Sequence, residues 1–421
     1  MNPVKVSMAD PASRGLRTIL IATAIAGVFG YGIQLLAPRM LADESTYVAF
    51  TVFWSTLYFG VSAMSGVQQE VARAAAPVVN EPPSATLRNF TLAAAGAVSI
   101  VSALIAFFFG DQILSGGRLQ LAVILAVGFV GYLANSVLSG VLYGLSKWRP
   151  IGELVVIDVA IRALLVILGF AIQAPVAVLA LGVVVPFGAA FGIVWLRVRR
   201  AVVGHYRLDV SFARLTTHVV GTVGAAAATG VMITGLPMLI GFTSTGDSVA
   251  AVGSLILAIT LTRAPIVIPV IALQSYLISA VFRGGRVRPA RLLRLLAGAL
   301  AGIVVLAAIG AFIGPPLIEW ISLGRFEITG WIAAAIVASA GLVAAMCVTG
   351  PALIAMRAHL DNVIGWAVAA ALTVVALLLP LPLDARVGVA LIAPSVVGLT
   401  LHSVALVRRG RRFTASDPVE A

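Results

Sequence analysis

An arginine set deep in a long apolar run has more chemistry to offer than any other residue of this sequence. Arg263 lies between Asp247 and Arg283, and Pro265 and Pro269 follow it closely. In lipid an ionisable side chain at mid-span costs roughly 2.5–3.5 kcal/mol on insertion scales, so it must face a cavity or a partner. Two readings stay open: a cation lining a cavity, whose planar fork suits phosphate, or a structural arginine paired with a carboxylate. Asp158 and Arg162 stand four apart, on one face of a helix, where they can neutralise each other or contact a charged solute. Glu70 and Arg73 follow Gln68 and Gln69 at the end of another run; interfacial solvation and a gate both fit. Gln34 and Arg39 close the first run and read as interfacial or as substrate contacts. His218 and His402 read as interfacial, at span ends.

No catalytic constellation is visible. Cys347 is the only cysteine, which excludes an intrachain disulfide and a cysteine-based metal site. The four histidines form no HExxH and no close pair, so no zinc site and no other cofactor is expected.

The elements that carry these residues are membrane spans. Of the 421 residues, 61% are hydrophobic and only 10% charged, where a soluble domain carries about a quarter charged. Mean hydropathy is +1.08. The apolar runs are continuous, and about 20 residues suffice to cross a hydrocarbon core of roughly 30 Å. Barrel strands would alternate instead. The runs place twelve helices at 16–37, 46–69, 89–110, 119–146, 151–173, 175–196, 214–241, 248–281, 291–313, 328–356, 363–380 and 387–407. The first follows Lys5, Arg14 and Arg17 and is too long for a signal-peptide core, so it reads as an uncleaved span.

Net charge is +12, and its distribution argues for membrane orientation and against nucleic acid. One side of the membrane would hold only Arg39, Arg118, Arg325 and Arg386. Arg162 and Arg263 fall inside spans, and every other Lys and Arg falls on the opposite side. That bias puts both termini in the cytoplasm. The segment from Arg197 to Arg214 at the midpoint is a short basic linker that also suits anionic headgroups. Small-residue spacings that favour close helix packing occur at Gly140/Gly144, Gly188/Gly192, Gly298/Gly302 and Gly310/Gly314.

The two halves resemble each other. Arg17 to Phe50 aligns with Arg214 to Ala251: a basic start, an apolar run reaching Pro38 or Pro237, an acidic turn, then a long run ending VAR at 71–73 or VFR at 281–283. Segment 139–152 similarly resembles 349–365. Six spans per half make this a parallel repeat, with lobes at 1–200 and 214–407, a linker at 201–213 and a cytoplasmic basic tail at 408–421. Two-lobed architectures of this kind hold a site between lobes that opens to each face in turn.

The six-plus-six layout, the long second and eighth spans, the Gly-x-Leu-Tyr-Gly-x-x-x-Trp-Arg stretch at 140–149 and the basic midpoint linker resemble the polysaccharide-flippase branch of the multidrug/oligosaccharidyl-lipid/polysaccharide exporter superfamily. The resemblance implies a multi-pass protein of a bacterial plasma membrane that flips a polyprenyl-diphosphate-linked glycan to the outer leaflet. Its partners would be that lipid-linked glycan, membrane lipids and glycan biosynthesis enzymes. Arg263 matches best the cavity cations that hold the diphosphate in relatives; Asn135, Ser136 and Gln274 are candidates for helix contacts or for sugar hydroxyls. The peptidoglycan-precursor branch carries further C-terminal spans that are absent here. A drug or cation antiporter of the same superfamily is the alternative and would need a free carboxylate, for which Asp158 is the deep candidate. A membrane glycosyltransferase, polymerase or ligase would need a sizeable outer loop, and the outer gaps are short.

Overall fold

The computed structural model describes residues 11–79, 85–113, 117–282 and 289–415. Expectations that rest on Lys5, on the turn with Arg283, Arg286 and Arg288, and on the last six residues of the tail lie outside these. Thirteen helices and two short strands occur among the described residues. They are α1 (Pro11–Met40), α2 (Glu44–Ala74), β1 (Ala75–Pro77), α3 (Ala85–Ile113), α4 (Arg118–Gly144), α5 (Trp148–Ala171), α6 (Val176–Val202) and β2 (Tyr206–Leu208). Then follow α7 (Phe212–Ile233), α8 (Leu236–Thr243), α9 (Val249–Phe282), α10 (Pro289–Ser322), α11 (Gly330–Ala355), α12 (His359–Leu377) and α13 (Leu383–Ala415). Twelve of them, all but α8, are long and apolar enough to cross a membrane. The chain is an all-α polytopic membrane protein with twelve transmembrane helices. In lipid a helix satisfies its own backbone hydrogen bonds, which explains why long continuous helices dominate.

Three features differ from the sequence reading. The seventh span, expected unbroken over 214–241, stops at Ile233 and restarts as α8 at Leu236. Pro237 sits in the first turn of α8 and lacks the N–H that would have continued α7. Ser55 of α2 bridges the break: its hydroxyl donates to the Thr234 carbonyl at 2.5 Å and accepts from the Met238 N–H at 3.1 Å. The ninth span runs past the expected stop at 313, through Pro315 and Pro316, to Ser322. The midpoint segment is also more than a linker. Its β2 pairs antiparallel with β1, matching Ala75 to Leu208, Ala76 to Arg207 and Pro77 to Tyr206.

The chain divides into two compact units. The first holds α4 to α6, residues 85–110 of α3, 11–33 of α1, 64–74 of α2, 212–223 of α7, and both strands. The second holds α8 to α13 with residues 34–40 of α1, 44–63 of α2 and 224–233 of α7.

In the first unit Leu121, Leu125, Leu133, Val166, Phe170, Val183 and Val184 form a buried core. Gly140 and Gly144 let α4 lie against α2. A Cβ on Gly140 would stand 2.7 Å from Val71 Cβ, and one on Gly144 2.6 Å from the Ala75 carbonyl oxygen. In the second unit Gly310 and Gly314 bring α10 against Val337 and Ala333 of α11 in the same way, at 2.6 and 2.7 Å. Of the other two pairs, Gly188 faces Gly131 of α4, where an added Cβ on Gly131 would stand 3.2 Å from Gly188 N. An added Cβ at Gly188, Gly192, Gly298 or Gly302 meets nothing within 4 Å among the described residues.

Candidate functional site

The two arginines inside spans have different surroundings. Arg162, on α5 in the first unit, is enclosed by partners. Its Nη2 donates to both oxygens of Asp158, one helical turn earlier, at 2.6 Å each. Its Nη1 donates to the Val183 carbonyl of α6 at 2.6 Å, and the guanidinium lies 4.3 Å from the centre of the Phe187 ring. Pro186 sits between those two α6 residues. Without an N–H it removes one rung of the helix ladder and loosens the backbone around it. Asn135 of α4 closes the group by donating to the Phe187 carbonyl at 3.0 Å. The arginine side chain is 1% exposed and Asp158 20%. One guanidinium engages both carboxylate oxygens and ties α5 to α6, and Asn135 ties α4 to α6 beside it.

Arg263, on α9 in the second unit, is also buried, at 4% exposure. Its Nη2 donates to the Ser339 hydroxyl of α11 at 3.1 Å. Nε and Nη1 have no hydrogen-bond partner among the described residues, and no carboxylate there pairs with it. Val343 and Cys347 follow Ser339 at four-residue intervals on α11 and belong, with Val267, Leu342, Met346 and Trp366, to an apolar cluster. A desolvated cation with two idle donors is costly: an unsatisfied buried group costs about 1–3 kcal/mol, and more when charged. The reading of Arg263 as half of an ion pair therefore has no carboxylate to stand on among these residues. The side chain of Gln274 lies outside the described residues.

At one end of the second unit, two arginines cap each other's helices. Arg39, at the end of α1, donates through Nε and Nη2 to the Ile321 and Trp320 carbonyls at the end of α10, both at 2.9 Å. It also lies 4.4 Å over the Trp320 ring. Arg325 returns the contact, Nη1 donating to the Leu41 carbonyl at 2.6 Å. Helix ends leave carbonyls without donors, and each arginine supplies them. Gln34 is buried at 6% exposure, and its Oε1 has no partner among the described residues. Asp43 caps α2, accepting from Thr46 N–H and Ser45 Oγ at 2.7 Å each. Those bonds hold its carboxyl below the ordinary aspartate value. Arg386 pairs with Asp247 and donates to Ser244 Oγ.

Glu70 and Arg73, at the far end of α2 in the first unit, gain a third member. Arg73 donates to Glu70 Oε1 through Nε at 2.9 Å and Nη2 at 2.6 Å. His218 of α7 places Nδ1 3.0 Å from the same oxygen and 3.2 Å from Arg73 Nη2. Glu70 is buried at 5% exposure. The approach is backbone-close: Thr222 Oγ1 donates to the Gly66 carbonyl at 3.1 Å, and a Cβ on Gly66 would stand 2.5 Å from Val223 N. His218 is therefore a tertiary partner of Glu70, which its place near a span end did not reveal. His402 departs from expectation more completely. It is fully buried on α13, with Nδ1 3.0 Å from Thr349 Oγ1 of α11 and Nε2 3.1 Å from the Asn362 carbonyl of α12. Gly365 makes room for its ring.

No protein-family model matches this chain. The protein Rv1510 of Mycobacterium tuberculosis (strain ATCC 25618 / H37Rv), which carries the description "uncharacterized protein", is 31% identical, covering 95% of this chain and 93% of its own length. The chain belongs to its family. Among solved structures, the lipid II flippase MurJ in an inward closed conformation shares the fold at TM-score 0.63 and 12% identity, over 94% of this chain and 89% of its own. A multidrug resistance MATE family transporter of the MOP superfamily, inward-facing, does so at TM-score 0.62 and 12% identity, over 96% and 99%. At that identity the likeness is one of fold. This family of mycobacterial relatives thus has the architecture of the multidrug/oligosaccharidyl-lipid/polysaccharide exporters, as the resemblance in the sequence implied.

Proposed function

We propose that the chain is a transporter that moves a polyprenyl-diphosphate-linked glycan from the inner to the outer leaflet of a bacterial plasma membrane by alternating access. In this reading it has six-helix lobes at 1–200 and 214–407, and both termini are cytoplasmic. The observation that carries the proposal is Arg263. A buried guanidinium with two idle donors and no carboxylate, set in an apolar span, suits a bidentate phosphate ligand that arrives from outside the fold. Bound diphosphate would satisfy those donors and relieve the cost of burying them. A free carboxylate is what proton- or cation-driven drug exchange would require, and Asp158 has both oxygens on Arg162.

Of the polar residues singled out in the sequence, Arg263, Gln34, Asn135 and Ser136 keep buried polar atoms without a hydrogen-bond partner among the described residues, and Arg263 is the cation of that set. We assign Asp158 and Arg162, which pair on α5 and reach the Val183 carbonyl of α6, and Arg39, which donates to carbonyls of α10, to holding the scaffold. Glu70 and Arg73, joined by His218, are assigned to a cytoplasmic gate. Membrane lipids and enzymes of glycan assembly are the expected partners.

The test is leaflet-resolved labelling of lipid-linked glycans in cells depleted of the protein and complemented with variants. Arg263→Ala should lower outward flipping by more than about tenfold, the factor that corresponds to roughly 1.4 kcal/mol. Arg263→Lys should retain part of the activity, since a lysine keeps the charge but loses the fork. Full activity of both variants would remove Arg263 from the mechanism. Drug accumulation with normal glycan export would replace the flippase by the antiporter.

A further inference from the structure

A groove between the ends of α12 and α13 is graded from apolar to cationic and has no part in the function proposed above. It encloses about 250 Å³. Its walls are Ile364, Leu401, Val404 and Ala405, and its mouth carries Arg408, Arg409 and Asp361. Leu401, Val404 and Arg408 recur at helical spacing, so they form one stripe on α13, about 10 Å from first to last at 1.5 Å per residue. Ile364, Leu401 and Val404 are 43%, 37% and 41% exposed, which on a transmembrane helix means facing acyl chains. The charged end holds two guanidiniums against one carboxylate. Asp361 is taken by Arg409, Nη2 to Oδ2 at 3.1 Å. Arg408 has no ion-pair or hydrogen-bond partner among the described residues. Asp361 lies in the first turn of α12, so the positive end of that helix adds to the excess.

We propose that this groove is a binding site for one anionic phospholipid, its phosphate on Arg408 and Arg409 and its acyl chain along Leu401, Val404 and Ile364. The match is one of both charge and shape. A water-soluble anion would leave the exposed apolar stripe unused, and a zwitterionic lipid would leave the excess positive charge uncompensated. Basic pockets between transmembrane helices select anionic headgroups for this reason. The lipid would tie the ends of α12 and α13 together beside the Asp361–Arg409 bridge, at the end of the fold that carries the basic tail.

The experiment uses the purified full-length chain in detergent. Lipid retained on the folded protein is counted by native mass spectrometry after addition of phosphatidylglycerol or phosphatidylcholine with identical acyl chains. Phosphatidylglycerol should be retained selectively, one per chain, and inorganic phosphate should not displace it. Arg408→Ala should weaken retention about fivefold, as a basic residue near an anionic surface is worth about 1 kcal/mol. Val404→Trp, which fills the groove at an exposed position without altering charge, should weaken it as well. Arg200→Ala, an exposed arginine on α6, should leave it unchanged. Equal retention of the two lipids, complete displacement by inorganic phosphate, or unchanged retention in both Arg408→Ala and Val404→Trp would overturn the site.

Discussion

Arg162 and Arg263 are both arginines buried in spans, one in each compact unit, and their environments differ as much as two buried cations can. Around Arg162 a carboxylate, a backbone carbonyl and an aromatic face are all in place. Around Arg263 the partner among the described residues is one serine hydroxyl, beside an apolar cluster on α11. The first arrangement neutralises its own charge and joins α5 to α6. The second leaves part of its hydrogen-bonding capacity for something the fold does not contain. A buried charge is therefore not by itself a sign of function; among the described residues a carboxylate on Arg162 and none on Arg263 is what separates the two.

That contrast can be broken by mutation. The largest effect is expected where a complete pair is cut. Asp158→Ala strands the Arg162 guanidinium and should cost about 3–5 kcal/mol of stability, read as a drop in thermal unfolding temperature in detergent. Replacing both partners, Asp158→Leu with Arg162→Met, should bring stability back to within about 1 kcal/mol of the parent, because a buried pair hardly outperforms apolar residues of similar volume. A double variant as unstable as the single one would show that the carbonyl and ring contacts of Arg162 matter more than its charge.

Next comes Ser339→Ala, which removes the hydrogen bond that Arg263 makes among the described residues. A bond to a charged group is worth about 1.5–3 kcal/mol. Unfolding should shift by that amount, and flipping should fall with it if the serine also aims the guanidinium. Arg263→Met should leave stability equal to or above the parent, the reverse of Asp158→Ala, and the sign is what matters. A clear loss of stability would mean that Arg263 has partners the fold supplies.

The smallest effect calibrates the others against an exposed group. Asp43→Ala removes the α2 cap and should cost about 1 kcal/mol at neutral pH. The Asp43 carboxyl is held below its ordinary value by the Ser45 and Thr46 bonds. Its contribution is therefore present above the unfolded carboxyl pKa and disappears as pH falls through the lower folded one. Unfolding curves of parent and variant should converge in acid, whereas a gap that persists there would assign the loss to something other than the cap.

Much of the site was readable one residue at a time, and the remainder was not. The Asp158–Arg162 contact follows from a four-residue spacing on one helix. Glu70 with Arg73 follows from a three-residue spacing. His218, 148 positions from Glu70, gave no such hint, and neither did the Arg39 contact with α10, 282 positions away. The break between α7 and α8 had a local trace in the Gly-Leu-Pro at 235–237, yet Pro315 and Pro316 pass through α10 without interrupting it. What distinguishes the two cases is Ser55, which bridges the exposed backbone groups at the first site from another helix.

The number of spans and the placing of Arg162 and Arg263 inside them were already contained in the order of residues. Lipid is a solvent that tolerates neither short apolar runs nor unpaired backbone, and its demands act on each segment separately. Which carbonyl receives Arg39, which glycine lets α4 reach α2, and whether a buried guanidinium finds its full set of acceptors depend on helices meeting across long stretches of chain. Packing settles those matters, and for Arg263 it left two donors without acceptors among the described residues.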